Sequence, residues 1–137
     1  MLEKELHVAS TAARKAGKIL EKHFGAATNI RKKGAIDLVT DSDLQAEKAI
    51  LQMIRAHFPT DQIIAEESGS QGESTKRVWL IDPLDGTTNF AHGFPFFAVS
   101  IALQIEGEIV LGIVYNPHLG EYFEAMKGSG AFLNSRR

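Results

Sequence analysis

Apolar residues at Leu2, Leu6, Ala9, Ala13, Ala16, Leu20 and Phe24 advance by threes and fours along the start of the chain. That is one stripe at the helical period. Lys4, Arg14, Lys18 and Lys22 fall largely off it, and Gly25 is placed to end the helix. Residues 28–40 read as a turn-rich connection. A second helix is predicted from Ser42, which with Gln45 fits a capping box, while Asp41 and Asp43 suit the positive end of the helix dipole. Ala46, Ile50, Met53, Ile54 and His57 line one face of that helix, and Phe58-Pro59 stops it. Beyond it the apolar runs shorten. Ile63-Ile64-Ala65 and Val78-Trp79-Leu80-Ile81 read as buried strands. Residues 97–103 and 109–115 flank Glu106-Gly107-Glu108 as a hairpin. Asn116-Pro117 and Leu119-Gly120 make a turn, residues 122–126 form a further strand, and Gly128-Ser129-Gly130 turns into Ala131-Phe132-Leu133. Short connections predict antiparallel pairing of successive strands. The expected class is α+β: two N-terminal helices packed on a mainly antiparallel sheet.

Composition narrows the function. The chain has 137 residues, with 15 Lys+Arg against 17 Asp+Glu and a formal net charge of −2. This balance provides no electrostatic case for direct nucleic-acid binding. The absence of cysteine removes disulfides, thiolate metal sites and cysteine nucleophiles. No apolar run is long enough to span a membrane, and the first residues do not read as a signal peptide. A single-domain, cytoplasmic protein is the expectation.

The acidic residues are grouped. Glu66 and Glu67 end one apolar run; Asp82 ends the next and leads into Pro83-Leu84-Asp85-Gly86-Thr87-Thr88-Asn89. Adjacent strands ending at the same edge would bring Glu66, Asp82 and Asp85 together, where they repel unless a cation joins them. Hard oxygen ligands select Mg²⁺, Mn²⁺ or Ca²⁺ over zinc. Pro83 stiffens the turn and Gly86 permits a left-handed one. Such a turn can aim the Leu84 carbonyl inward, and it can expose the N–H groups of Gly86, Thr87 and Thr88 to an anion. Residues 82–86 alone also read as a polar turn; Glu66-Glu67 and Thr87-Thr88 move the reading toward a site. An EF-hand loop starting at Asp41 fails, because Ala46 and Gln52 stand where Gly and Glu are needed. The five histidines are dispersed and read as solvent-facing or packing residues. Phe94, Phe96 and Phe97 read as core aromatics, and Lys32 and Lys33 as solvated residues able to attract phosphate.

The run from Trp79 to Phe90 resembles the signature of the inositol monophosphatase family. Asp37-Leu38-Val39-Thr40 with Asp43, Ala65-Glu66-Glu67-Ser68, and Gly112-Ile113-Val114-Tyr115 through Lys127-Gly128-Ser129-Gly130-Ala131 resemble the same family in order and spacing. Thr88-Asn89-Phe90 is similar to the inositol monophosphatase branch more than to the nucleotide bisphosphatases. The resemblance implies a layered sugar-phosphatase fold, of which this chain matches the N-terminal half. It implies Mg²⁺ held by Glu66, Asp82, the Leu84 carbonyl and Asp85, with Asp82 shared by two ions. Gly86 and Thr87, beside Glu66, Leu84 and Asp85, would meet the substrate phosphate. Asp43 and Thr87, with Glu66, would orient the attacking water, and Glu67 would hold a further ion through water. Family members continue past this point to another Asp ligand in a Trp-Asp motif, whereas Trp79 is the only Trp here. The implied activity is Mg²⁺-dependent hydrolysis of inositol 1-phosphate or a similar sugar or polyol phosphate by a cytoplasmic homodimer, without membrane or nucleic-acid partners. The alternatives are a non-catalytic protein-binding role in the transcription machinery, or specificity for fructose bisphosphate or a nucleotide bisphosphate.

Overall fold

The computed structural model describes residues 2–27, 35–73 and 75–137, with the backbone alone for residues 25–27 and 35–40. Helices α1 (Glu3–Ala27) and α2 (Ala35–His57) come first. Then follow β1 (Gln62–Ala65), β2 (Gly69–Gln71), β3 (Arg77–Asp85), the short helix α3 (Thr87–Ala91), β4 (Ala98–Ile105), β5 (Glu108–Asn116), β6 (Glu121–Met126) and β7 (Gly130–Leu133). The strands form one sheet in the order β2-β1-β3-β4-β5-β6-β7.

The α1 stripe packs as its period requires. Ala9, Ala13, Ala16, Leu20 and Phe24 are buried, and Leu2 and Leu6 pack at its margin. The second helix departs from the sequence reading. It begins at Ala35, so Ser42 and Asp41 are interior helical residues and no capping box forms. Ser42 is instead fully buried, with its Oγ 2.7 Å from His23 Nδ1 on α1. Tertiary packing of α2 on α1 thus outweighs the local capping preference. Gly25 likewise lies within α1, which runs on to Ala27. His57 is exposed, its Nδ1 donating to the Met53 carbonyl, and does not share the apolar face.

The sheet is antiparallel everywhere except between β1 and β3. There the hairpin partner β2, unmarked by any apolar run, takes one side of β1 and leaves β3 to run parallel on the other. The helices cover one face, where Ile63, Trp79, Ile81, Val99, Ile101, Leu103, Leu111 and Ile113 are buried. On the opposite face Ile64, Val114 and Phe123 are exposed, and Leu80 is half-buried. Ile64 and Leu80 therefore correct the expectation of strands buried on both sides. Phe97 enters the core, but Phe94 and Phe96 are exposed, at 57% and 65%.

Gly17 brings α1 down onto β5. A Cβ at this position would lie 2.5 Å from Tyr115 Cε2 and 3.1 Å from Pro117 Cβ. Gly→Ala inside an exposed helix stabilises by about 1 kcal/mol. At this contact the overpacking cost of about 1–3 kcal/mol dominates. Gly17→Ala is accordingly expected to lower the urea midpoint, and a raised midpoint would show that the helix can retreat freely.

Candidate metal centre

The parallel pairing of β1 and β3 aligns Ala65 with Ile81, and the Glu66 N–H donates to the Ile81 carbonyl (3.1 Å), extending the ladder by one residue. Glu66 and Asp82 therefore stand side by side, with the Glu66 carboxyl close enough to act on Asp82. Pro83 has no N–H for the ladder, and the register with β4 slips between Asp82 and Asp85. In that irregularity Asp82 Oδ1 accepts the Leu84 N–H at 3.2 Å. The Leu84 side chain is buried, while Asp85 is exposed and close enough for its charge to act on Asp82.

Gly86 turns the chain with φ 89°. A Cβ there would sit 2.7 Å from the Phe96 carbonyl oxygen and 3.2 Å from Phe97 Cα, so only glycine fits. Thr87 opens α3 and is exposed. The helix is pinned from below by buried Phe90, whose ring lies 5.0 Å from Phe97 and 5.6 Å from Phe24, centroid to centroid. Asn89 Nδ2 also donates to the Phe96 carbonyl (2.9 Å), tying α3 to the strand that follows.

Helix α2 contributes from the other side. Asp43 is 6% exposed, its Oδ1 has no hydrogen-bond partner, and its carboxyl meets that of Glu67. Burial, then the Glu67 hydrogen bond and the charges of Glu67, Asp82 and Glu66, pushes Asp43 up to about 8. Burial and the Glu66 carboxyl push Asp82 up to about 7. Among the described residues, no three acidic or imidazole side chains form a ready-made ligand cage. Two pairs of neighbouring carboxyls stand in its place, Glu66 with Asp82 and Asp43 with Glu67, and each repels when both members are ionised.

This chemistry fits a hard divalent cation. The donors are all oxygens, one of them buried and unpartnered, and a cation would offset the repulsion within each pair. Lys32 and Lys33 lie outside the described residues, and the side chains of Asp37 and Thr40 outside the described side chains. Four of the histidines take local partners. His23 meets Ser42, and His57 and His92 donate to the carbonyls of Met53 and Thr88. His118 donates to Glu21 (2.6 Å). The sequence reading missed Glu47. It is 3% exposed, and its Oε1 accepts the Glu67 N–H at 3.0 Å. The signal was available: an acidic residue four places after Asp43, inside the apolar stripe of α2.

The raised carboxyls set a direction for stability. Asp43 and Asp82 hold protons in the folded chain that the unfolded chain has already lost, so the unfolded state binds fewer protons and folding weakens as pH rises. Metal-free protein should lose stability between about pH 4 and about pH 8, the window set by the ordinary and raised values. Asp43→Asn should flatten that fall in urea titrations, and an undiminished fall would exclude this cluster as its origin.

The model of the inositol monophosphatase family matches residues 1–137. "Inositol monophosphatase 2" of Solanum lycopersicum is 45% identical over 98% of this chain and 53% of its own length. "Nus factor SuhB" of Vibrio cholerae is 46% identical over 96% of this chain and 51% of its own. The solved extragenic suppressor protein suhB from Bartonella henselae superposes with a TM-score of 0.88 at 43% identity, covering 98% of this chain and 53% of that one. The chain thus spans about half the length of the relatives it matches. Matched along its whole length by the family model and by relatives at these identities, it belongs to the inositol monophosphatase family.

Proposed function

We propose that the chain supplies the metal-holding half of a Mg²⁺-dependent phosphomonoesterase acting on inositol 1-phosphate or a similar sugar or polyol phosphate. The observation that carries this reading is the parallel register of β1 and β3, which sets Glu66 beside Asp82 just before a turn that only glycine fits. The relatives named as inositol monophosphatases support it.

Glu66, Asp82, the Leu84 carbonyl and Asp85 would hold Mg²⁺. Bound there, a divalent cation makes a water easier to deprotonate and offsets charge on the phosphoryl and leaving oxygens. Asp43, buried against Glu67, and Thr87, at the start of α3, orient the water for in-line attack on phosphorus, with Glu66 beside them. Gly86 and Thr87 present backbone N–H groups to the phosphate. The P–O bond to the alcohol breaks as the water oxygen bonds to phosphorus, and the alkoxide leaves with a proton. The nucleophile is water, so no phosphoenzyme forms. The finer parts of this reading are a homodimer working in the cytoplasm; among the described residues, no helix is long and apolar enough to cross a membrane. The family resemblance puts a further Asp ligand outside these residues, so residues 1–137 alone are expected to bind about one Mg²⁺ yet turn over inositol phosphate negligibly.

The relatives named Nus factor SuhB favour a second reading, a protein-binding role in the transcription machinery. One substitution separates the two. In a longer chain that includes the further Asp ligand, hydrolysis of inositol 1-phosphate should require Mg²⁺, and Asp82→Asn should lower kcat by about a hundredfold or more, because the charge-stabilising contribution is lost. Metal-independent hydrolysis, or full activity in Asp82→Asn, would reject the phosphatase mechanism. A variant inactive in hydrolysis that still binds a transcription protein would establish the second role beside it.

A further inference from the structure

We infer that Glu47 is a positioning residue for the metal centre, acting through the backbone of the Glu66-Glu67 turn; this rests on the metal-holding reading above. Two hydrogen bonds hold the peptide units that flank Glu66. Its own N–H donates to Ile81 of β3 (3.1 Å). The next N–H, that of Glu67, donates to Glu47 Oε1 (3.0 Å). The first bond ties the turn to the strand that carries Asp82. The second ties it to the helix that carries Asp43, one turn before Glu47 on the same side.

The two carboxyl pairs depend on this double tether. Glu66 meets Asp82 across the β1–β3 edge, and Glu67 meets Asp43 across the gap to α2. Both contacts are lost if the turn moves off its two partners. The ladder bond to Ile81 holds the turn in the plane of the sheet only. Glu47 supplies the restraint perpendicular to the sheet, from a side chain that is 3% exposed on the helix that carries buried Ala46, Ile50 and Leu51. Such a buried acceptor has few other rotamers open to it, so it fixes the turn within a narrow range. Glu47 acts here as an acceptor, and its charge is not the requirement.

The test compares Glu47→Gln, which keeps the acceptor oxygen, with Glu47→Met, which has similar length and no carbonyl oxygen. Calorimetric titration of each folded chain with Mg²⁺ alone should show Glu47→Met weaker than the native chain by about tenfold or more, with Glu47→Gln within about threefold. Amide exchange of the Glu67 N–H in metal-free protein should accelerate in Glu47→Met and stay slow in Glu47→Gln. Equal Mg²⁺ affinity for both variants and the native chain overturns the inference, even where Glu47→Met melts at a lower temperature. Failure of the native chain to bind Mg²⁺ overturns the metal-holding reading. The Glu67 exchange rate then decides by itself whether Glu47 holds the turn, and unchanged exchange in Glu47→Met shows that it does not.

Discussion

Everything at the candidate centre depends on β1 and β3 running in the same direction. A strand pair delivers two carboxylates to one edge only when both strands end there, and an antiparallel pair would send Glu66 and Asp82 to opposite ends. The pairing is secured at its beginning by a buried network. Asp61, just ahead of β1, accepts from Arg77 Nε and from Trp79 Nε1 of β3, both at 2.9 Å. Arg77 also donates to Glu5 of α1 at 3.0 Å. Each Asp61 oxygen is thus engaged, and the Asp61 carboxylate and then burial act in opposite directions on the guanidinium, the net effect holding Arg77 above its ordinary range. Losing Arg77 would leave the buried Asp61 carboxylate with the Trp79 N–H alone to offset its charge. Attraction at one end of the strand pair and carboxyl crowding at the other make its register a functional quantity.

The carboxyl cluster conflicts with the folding of the chain that carries it. Asp43 and Asp82 are most comfortable protonated, and ionising them with no cation present weakens the fold. That conflict is tolerated because the supporting layer is apolar and closely packed. Phe24, Phe90 and Phe97 meet with ring centroids 4.9–5.6 Å apart beneath α3. Their contacts fix the short helix, and with it Gly86 and Thr87, relative to α1 and β4. A five-residue helix has little stability of its own. Its position comes from Phe90 and from the Asn89 bond to the Phe96 carbonyl.

The open face of the sheet has a different character. Ile64, Val114, Phe123 and Leu133 remain more than one-third exposed there, while Ile63, Ile113 and Tyr122, each one residue before the first three, are buried. The alternation is that of a sheet covered on one side. Relatives of this chain extend about as far again, and the apolar surface lies on the side that the N-terminal helices leave uncovered.

Much of this architecture was legible in the residues alone. The α1 stripe, the strand runs, the Glu106-Gly107 hairpin and the grouping of Glu66, Asp82 and Asp85 follow from periodicity and turn chemistry, which act over a few neighbouring residues. The site motif was legible because Pro83 and Gly86 impose local backbone constraints that any fold must respect. Four features were decided only by tertiary structure. The extension of α2 back to Ala35 depends on α1 packing and on the His23–Ser42 contact, which overrode a good local cap. The parallel sense of β1 and β3 depends on β2, three polar and glycine residues with no hydrophobic signature. The exposure of Phe94 and Phe96 depends on which way the loop after α3 is drawn by Asn89 and Asn116. The role of Glu47 depends on an N–H twenty residues away. Sequence determines what each segment can form, because propensity and periodicity are short-range; which partner a segment finds, and therefore where its charges stand, is settled only when distant segments share one core.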